Sequence, residues 1–328
     1  MPLPRSYPPS ILSRSAMAAF NSDQRRDTFI RALDPCFSSS PMMRCLYVGD
    51  SLLLPLLILE RYPQVELVIL ESSNPHLNNV FKAILSNSSS ELKYRMVSSF
   101  NSETFDFQSI DMIVSEPFFT KSILPWDNLH FYYLLEQNRM RFRPDCRLFP
   151  SRARIRCLPL EFNDLHKIRL PVQTCCGFDL TPFDEQIMAA SLEVDEPIEP
   201  QPLFEYSSKQ PALSTIVDLL DIDFQEDFQD RIEKKMVDIK FTSNGNCNGI
   251  AFWIEYQLNE TIWLTTGLDN QTQSWVPYSK QGVHLLSKPL TVELPMKISI
   301  NTGFDFKQGQ FLFSICRDEK ILKKVAND

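Results

Sequence analysis

Hydrophobic and polar residues follow different patterns in the two parts of the chain. From about residue 23, short apolar runs of strand length alternate with stretches whose apolar residues recur at helical spacing. This alternation predicts βαβ units and therefore a parallel, doubly wound, Rossmann-like sheet. The predicted helices cover residues 23–33, 52–60, 75–85 and 126–137, and the predicted strands cover residues 44–48, 66–70, 93–97 and 110–114.

Two of these helices depend on particular residues. Pro35, after Asp34, is expected to end the first helix because proline has no amide hydrogen to donate. Asn74 and Pro75 are the expected cap and first residue of the third helix. The apolar residues of that third helix are expected to share one face, and they are Leu77, Val80, Phe81, Ile84 and Leu85.

After about residue 150 the pattern is typical of antiparallel β structure, either a sandwich or a β-barrel. Strands are predicted over residues 153–160, 214–220, 237–241, 249–258, 282–287, 291–300 and 310–316. The segment Ser243-Asn244-Gly245-Asn246 predicts a hairpin turn. Between the first two strands, a helical stretch over 183–192 and the acidic segment EVDEPIEPQP predict a projecting arm.

Three segments are therefore expected. Residues 1–22 contain no acidic residue but four early prolines, which favours a flexible N-terminal segment over a mitochondrial presequence. Residues 23–150 are expected to form the Rossmann-like domain. Residues 151–328 are expected to form the β-barrel domain, with the helical arm at about 160–205.

Charge and composition restrict the classes of partner. The net charge of −8, without any run of Lys and Arg, argues against nucleic acid or an anionic membrane and leaves a basic protein partner open. The longest apolar stretch, residues 52–59, is eight residues and contains Pro55, whereas a membrane span takes ~20. Eight scattered cysteines without a secretory signal favour reduced thiols in an intracellular, cytoplasmic or nuclear protein.

The candidate site residues follow the predicted strands of the parallel sheet. Gly49 lies in the first strand-to-helix turn, where doubly wound sheets bind ligands. Glu71 comes 22 residues later, at the end of the second strand, where an acidic side chain accepts hydrogen bonds from ribose hydroxyls. Ser115 and Glu116 follow the fourth strand at the same edge. Gly49 is the only glycine before residue 177, so a normal glycine-rich nucleotide loop is not expected.

Six stretches identify a family resemblance that runs from about residue 20 to the C-terminus. They are FNSDQRRDTFIRAL, SEPFFTKSILPWDNLHFYY, LPLEFNDLHKIRLP, CGFDLTPFDEQI, EPQPLFEY and WLTTGL. The chain resembles the protein arginine N-methyltransferases, and within them the second, C-terminal module of type III members that resemble two fused modules. The resemblance implies S-adenosyl-L-methionine as the cofactor of the family.

The cofactor loop departs from the family pattern, V-L-D-x-G-x-G-x-G. Tyr47 stands in place of the acidic residue, Gly49 is kept, and Ser51 and Leu53 stand in place of the second and third glycines. A leucine side chain is expected where the cofactor would lie, so we expect this chain not to bind S-adenosyl-L-methionine. Glu71 matches the retained ribose-binding acid.

The substrate motifs also depart from the family. Two glutamates nine positions apart hold the substrate guanidinium in the family, since carboxylates pair bidentately with it. Glu116 matches the first glutamate, and Pro125 takes the position of the second. The family's Thr-His-Trp motif corresponds to Pro277-Tyr278-Ser279, so that Tyr278 replaces the histidine.

Simpler interpretations of several residues stay open from the sequence. Glu116 could be a strand-end acid that faces solvent, and Phe118, Phe119 and Trp126 are better explained as core or interface residues than as a substrate cage. The four histidines (His76, His130, His166, His284) lack metal-ligand spacing, and no metal is expected. Related second modules are associated with zinc, but only the Cys175-Cys176 pair is present here, with Val172 in place of an earlier cysteine.

Three functions are compatible with this resemblance. In the first, the chain is a non-catalytic scaffold that forms a pseudo-dimer with a catalytic first module, and the whole protein monomethylates arginine on basic proteins such as histones and Gly-Arg-rich proteins. In the second, the chain is itself an active arginine methyltransferase that uses Glu71 and Glu116. In the third, it is a methyltransferase-like interaction domain with unrelated partners.

Overall fold

The computed structural model describes residues 14–38, 43–49, 51–72, 75–88, 91–116, 125–194, 198–206, 210–227, 232–306, 310–317 and 320–325. Its α-helices within these ranges are α1 (Arg14–Phe20), α2 (Asp23–Ser38), α3 (Leu53–Arg61), α4 (Pro75–Ser86), α5 (Pro125–Asn138), α6 (Asn163–Arg169) and α7 (Thr181–Val194). In the described part of the chain, no helix combines the length and apolar character needed to cross a bilayer.

The first part of the chain forms a five-stranded parallel sheet. Its strands are β1 (Arg44–Tyr47), β2 (Glu66–Leu70), β3 (Tyr94–Val97), β4 (Met112–Val114) and β5 (Arg147–Phe149), in the order β3-β2-β1-β4-β5. The strand order changes direction between β1 and β4, which is the topological switch point of a doubly wound sheet. The predicted Rossmann-like sheet is confirmed.

Two helices differ from the sequence prediction. α2 does not end at Asp34-Pro35 but continues to Ser38, because Phe37 is fully buried against Tyr62 and Asp34 accepts a hydrogen bond from the Tyr62 hydroxyl. In α4 only Leu77, Phe81 and Leu85 are buried. The predicted helix is confirmed, but its apolar face is only partly covered, since Val80 and Ile84 are 39% and 40% exposed.

The second part of the chain is antiparallel β structure, as predicted. Its strands are β6 (Arg152–Leu160), β7 (Thr174–Cys175), β8 (Phe178–Asp179), β9 (Glu199–Gln201), β10 (Val217–Asp223), β11 (Ile232–Lys240), β12 (Gly245–Gln257), β13 (Trp263–Thr265), β14 (Gln281–Val292), β15 (Lys297–Asp305), β16 (Gln310–Arg317) and β17 (Lys320–Val325). One sheet has the order β10-β6-β12-β14-β9, with β13 added on β12, and the other has the order β11-β15-β16-β17.

The two antiparallel sheets face each other across shared core side chains, as in the contact between Phe252 of β12 and Phe313 of β16 at 5.1 Å between ring centroids. Within the described residues, strand pairing does not close them into one barrel. The hairpin turn predicted over 243–246 is wrong. Residues 241–244 connect the two sheets, Gly245 and Asn246 already belong to β12, and β11 pairs with β15 whereas β12 pairs with β6 and β14. The single strand predicted over 291–300 is also wrong, since the chain leaves one sheet at Val292 and enters the other at Lys297.

The predicted arm is inserted between β6 and β10. It contains α6, the β7–β8 hairpin, α7 and β9, and β9 returns to pair with β14. The helix predicted over 183–192 lies within α7. Several of the arm's apolar side chains are exposed, namely Ile168, Val172, Phe178, Phe183, Ile187 and Phe204.

The described part of the N-terminal segment contains a helix. Residues 14–20 form α1, and Ala19 is buried against Val276 and Tyr278 of the second part. The flexibility expected for residues 1–22 stays a prediction. Residues 1–13 lie outside the described residues. The division of the chain into domains at residues 23 and 151 stays a prediction.

Candidate functional site

The carboxyl edge of the parallel sheet brings together the turns after β1 and β4. β1 and β4 are neighbours, with Tyr47 beside Val114, so Gly49 and Glu116 leave the sheet on adjacent strands. This is the place where the sequence predicted a site. The turns are also at the switch point of the strand order, where doubly wound folds bind ligands.

Glu116 is buried, and both oxygens of its carboxylate accept hydrogen bonds from within the chain. Oε1 accepts a hydrogen bond from Nε of Arg25 at 3.2 Å, and both side chains of this ion pair are 1% exposed. Oε2 accepts from the Ser51 hydroxyl at 2.5 Å and from the Leu54 amide at 3.0 Å. The simpler interpretation, a strand-end acid facing solvent, is therefore wrong.

Arg25 is the site residue that the sequence analysis missed. It lies on α2, and its guanidinium carbon is 5.2 Å from the centroid of the Phe29 ring and 4.9 Å from that of Tyr278. Both distances are within the range of cation–π attraction. A signal for it exists in the sequence, because Arg25 shares helical spacing with the buried residues Phe29 and Ala32.

Tyr278 closes the site from the antiparallel part of the molecule. It is buried, and its hydroxyl donates to the Thr265 carbonyl at 3.1 Å. Burial raises the pKa of the Tyr278 hydroxyl, while the nearby Arg25 guanidinium acts in the opposite direction. The Tyr278 side chain is therefore neutral at neutral pH, and its ring lies against the Arg25 guanidinium.

The turn after β1 is hydrogen-bonded to itself through Tyr47. The Tyr47 hydroxyl donates to the Ser51 carbonyl at 2.7 Å and accepts from the Ser51 amide at 3.1 Å. Gly49 has φ +150°, and a Cβ at this position would lie 3.1 Å from the Tyr47 hydroxyl. Leu53, the first residue of α3, is buried in the core. Among the described residues, the Tyr47 hydroxyl therefore lies within the turn and Leu53 is buried directly after it.

Glu71 follows β2, as predicted, but its surroundings differ from those of Glu116. Its carboxylate pairs with Nζ of Lys82 on α4 at 2.8 Å. This pair is partly exposed, at 25% for Glu71 and 53% for Lys82. The structure therefore brings Glu116, Ser51 and Tyr278 together around Arg25, whereas Glu71 forms a separate surface ion pair.

Several predicted residues cannot be placed at the site. Pro125 is the first residue of α5, but its side chain and that of Trp126 lie outside the described residues. Phe118, Phe119 and Asn74 also lie outside them. Cys175 and Cys176 are exposed, with their Sγ atoms 3.8 Å apart. Among the residues that the structure describes, no group of three or more His, Cys, Asp or Glu is arranged to hold a metal ion.

Comparison with known proteins finds relatives that are named protein arginine N-methyltransferase 7. Protein arginine N-methyltransferase 7 of Drosophila pseudoobscura pseudoobscura is 34% identical over 227 residues, which is 66% of this chain and 32% of that protein. The Danio rerio protein of the same name is 30% identical over 283 residues, 83% of this chain and 41% of that protein. The Xenopus laevis protein is 28% identical over 311 residues, 90% of this chain and 45% of that protein. No family model matches the chain.

The chain belongs to the protein arginine N-methyltransferase family. It spans about a third to a half of the length of the curated relatives that it matches. Two solved structures share its fold across nearly the whole chain. The Trypanosoma brucei PRMT1 enzyme-prozyme heterotetrameric complex with AdoHcy matches with a TM-score of 0.70 at 14% identity and covers 98% of each chain. Arabidopsis thaliana protein arginine methyltransferase 10 matches with a TM-score of 0.63 at 13% identity, covering 94% of this chain and 95% of that one.

In this arginine methyltransferase-family chain, two of the positions that depart from the family motifs contact one buried ion pair, Glu116 with Arg25. Ser51, in place of a cofactor-loop glycine, bonds the retained Glu116. Tyr278, in place of the family's histidine, packs on the Arg25 that pairs with the same Glu116. One described residue from each of the three altered motifs, namely Ser51, Glu116 and Tyr278, is thus part of a single packed arrangement, whereas the Pro125 side chain lies outside the described residues.

Proposed function

We propose that this chain is a non-catalytic second module of a type III, two-module arginine methyltransferase similar to protein arginine N-methyltransferase 7. The observation that carries the proposal is the internal ion pair of Glu116 with Arg25, both side chains being 1% exposed. A carboxylate that must hold a substrate guanidinium needs free acceptor positions, and here both oxygens are engaged by the chain itself.

The cofactor loop supports the same proposal. Methionine and ribose parts of a nucleotide-like cofactor need a backbone that they can approach closely, which glycines allow. Here Tyr47 bonds across the turn to Ser51, and Leu53 is buried directly after it. These residues do not fit the family's cofactor, so the chain is proposed not to bind S-adenosyl-L-methionine.

The arm supports a scaffold role. Phe183 and Ile187 stand one turn apart on α7 and are 55% and 52% exposed, and Phe178 on the adjacent hairpin is 72% exposed. Clustered apolar side chains of this kind are typical of interaction surfaces. The arm is proposed to dock on a catalytic first module and to hold its cofactor domain in place, because binding to the folded state stabilises that state. One structural neighbour, the PRMT1 complex of Trypanosoma brucei, is described as an assembly of an enzyme with a prozyme.

The activity is assigned to the whole protein and not to this chain. The curated relatives are more than twice as long as the part that this chain matches, which leaves room for another module of similar size. That first module is proposed to carry out arginine monomethylation of basic proteins such as histones and Gly-Arg-rich proteins. The cytoplasm or the nucleus is the proposed location.

The first test is calorimetric titration of the isolated chain with S-adenosyl-L-methionine and its demethylated product. The expected result is no binding, and an active arginine methyltransferase provides the positive control. Micromolar binding would instead favour the alternative, an active methyltransferase that uses Glu71 and Glu116.

The second test is co-purification with the N-terminal part of a longer relative, such as the Xenopus laevis protein. The wild-type chain is expected to form a stable complex, and the double variant Phe183→Asp, Ile187→Asp is expected to lose it. Met236→Asp is the matched control, because Met236 is a 68% exposed apolar residue outside the arm. If no complex forms with the wild-type chain, the third alternative is favoured, an interaction domain with other partners.

A further inference from the structure

The cysteines of the chain fall into two classes by exposure. Cys175 and Cys176 are exposed neighbours in the arm. The other six are buried or half-buried, and they are Cys36, Cys45, Cys146, Cys157, Cys247 and Cys316. Burial raises the pKa of the buried thiols, which keeps them protonated and slow to react, because the thiolate is the reactive form. Accessible thiol chemistry in this chain is therefore concentrated at the arm pair.

The backbone around this pair has a defined conformation. Cys176 and Gly177 form the two-residue loop of the β7–β8 hairpin, with φ angles of +52° and +80°. Two positive φ angles in a hairpin loop of this length indicate a type I′ turn, in which Asn, Asp or Gly is the preferred first loop residue. A cysteine in the left-handed region is uncommon, since the side chain is crowded by the backbone there. The turn holds the thiol of Cys176 beside that of Cys175.

The distance between the two sulfur atoms indicates what they can bind. The Sγ atoms of Cys175 and Cys176 are 3.8 Å apart. A disulfide needs ~2.05 Å and Cα atoms that are usually ~4.4 Å apart or more, whereas the Cα atoms of adjacent residues are only ~3.8 Å apart. Two bonds of ~2.3 Å, the length of a zinc–thiolate bond, that meet at one atom at about 90–110° separate their sulfurs by roughly 3.3–3.8 Å. The pair is therefore spaced for two bonds to one shared atom rather than for a disulfide.

The shared atom has to be satisfied by two thiolates. A structural zinc ion takes four ligands, and the described part of the chain has no group of three or more His, Cys, Asp or Glu arranged to hold a metal. Trivalent arsenic that carries one carbon substituent is thiophilic and takes only two further bonds. Phe178 pairs with Cys175 across the hairpin, which puts both side chains on one face, and Phe178 is 72% exposed. An aromatic substituent on the arsenic can stack on this ring.

We propose that Cys175 and Cys176 form a dithiol site in the arm hairpin that binds aryl-substituted trivalent arsenicals. In the reaction with an arsenoxide, R–As=O, each thiol forms one S–As bond and gives up its proton, and the oxygen of the arsenoxide leaves with both protons as water. Arsenic stays trivalent, so the reaction consumes no oxidant or reductant. The proposal rests on the hairpin and not on the proposed scaffold function, so the cofactor titration neither supports nor weakens it.

The test treats the full chain, freshly reduced with a phosphine and desalted, with an equimolar amount of phenylarsine oxide and reads the product by intact mass spectrometry. One phenylarsenic group per chain is expected, with loss of one water. Because the second S–As bond forms within the molecule at an effective concentration in the millimolar range or above, the adduct is expected to survive roughly 1 mM monothiol. A dithiol such as dithiothreitol is expected to remove it. Absence of an adduct on the wild-type chain overturns the proposal.

Matched variants show whether the adduct lies on this pair. Cys175→Ser and Cys176→Ser are each expected to lose the adduct in 1 mM monothiol, since only one S–As bond remains, whereas Cys316→Ser, at a half-buried thiol, is expected to keep it. Phe178→Ala is expected to lose a preference for phenyl over methyl arsenoxide. The substituted residues of the pair are exposed, so their melting temperatures are expected to stay within about 2 °C of wild type. An adduct that persists in Cys176→Ser, or that depends on Cys316, counts against the site.

Discussion

Glu116 and Glu71 end the two strands that flank β1 in the parallel sheet, and both were predicted as site residues. Glu116 is paired with Arg25 where both side chains are 1% exposed, whereas Glu71 is paired with Lys82 at 25% and 53% exposure. The two ion pairs have similar distances, 3.2 and 2.8 Å, but very different surroundings. Position at a strand end therefore does not determine what an acidic residue does; the packing above it does.

Removal of the buried carboxylate charge is expected to have the largest effect on stability. Glu116→Gln keeps the shape but leaves the Arg25 cation buried without a charged partner, which typically costs 3–5 kcal/mol. We expect a loss of about 3 kcal/mol or more in the free energy of unfolding, measured by urea denaturation monitored by circular dichroism.

A double variant sharpens this prediction. Arg25→Met with Glu116→Leu removes both charges and replaces them with apolar side chains, so the desolvation cost disappears together with the attraction. The double variant is expected to be more stable than Glu116→Gln alone. If the single variant loses less than about 1 kcal/mol, the buried pair does not have the role assigned to it here.

The strands that position this site could be predicted from the sequence, whereas the side chains that pack around Glu116 could not. Apolar runs at 44–48 and 110–114 located β1 and β4, and the change of strand order then places Gly49 and Glu116 at one edge. The identity of the partner could not be predicted in this way, because Arg25 reaches Glu116 across 91 positions of the chain and Tyr278 comes from the other part of the molecule. A buried charge finds its partner through tertiary packing, which local periodicity does not encode.

The same limit explains the errors in the second part. A hairpin turn was predicted over 243–246, but Gly245 and Asn246 belong to β12, and the choice between pairing β12 with β11 and pairing it with β6 and β14 depends on which faces share the core. On α4, Val80 and Ile84 have the spacing of a buried face and are nevertheless exposed. The spacing of apolar residues predicts which side of a helix faces the core. How many of those residues are buried depends on the neighbouring elements that pack on that side.

The turn after β1 provides the next prediction. Tyr47→Phe removes the hydroxyl that bonds both the amide and the carbonyl of Ser51, and these backbone groups lie in a buried turn. Leaving buried polar groups without partners costs about 1–3 kcal/mol, and we expect a loss in that range by urea denaturation. Tyr94→Phe is the matched control, because Tyr94 is 39% exposed on β3 and is expected to change stability by less than about 0.5 kcal/mol. Equal effects of the two substitutions would show that the hydrogen bonds of Tyr47 do not hold the turn.

Buried titratable groups also predict how stability depends on pH. Burial raises the pKa of the Cys146 thiol to about 11 from its ordinary value of 9.0. The native state therefore keeps this proton to higher pH than the unfolded chain, so the stability from this group is fully present below about pH 9 and is lost as the pH rises towards 11. Its contribution at pH 10 is about 1 kcal/mol.

The measurement is the change in unfolding free energy between pH 8 and pH 10. This change is expected to be smaller in Cys146→Ala than in wild type by about 1 kcal/mol. Cys175→Ala, which removes an exposed thiol from the arm, controls for loss of a cysteine as such. A pH dependence that is the same in all three proteins would assign the effect to other groups.

The smallest expected effect completes the comparison between the two strand-end acids. Glu71→Gln removes the charge from the exposed pair with Lys82, and exposed ion pairs are worth about 0–1 kcal/mol because water screens them and ordering the side chains costs entropy. We expect a change below about 0.5 kcal/mol in urea denaturation, with Lys82→Gln giving the same result. Since Glu71 and Glu116 carry the same substitution, the difference between the two variants isolates the effect of burial from that of the residue type. A loss at Glu71 as large as that at Glu116 would mean that Glu71 is buried by something that covers it in solution, and a ligand or a partner module at this edge would then have to be considered.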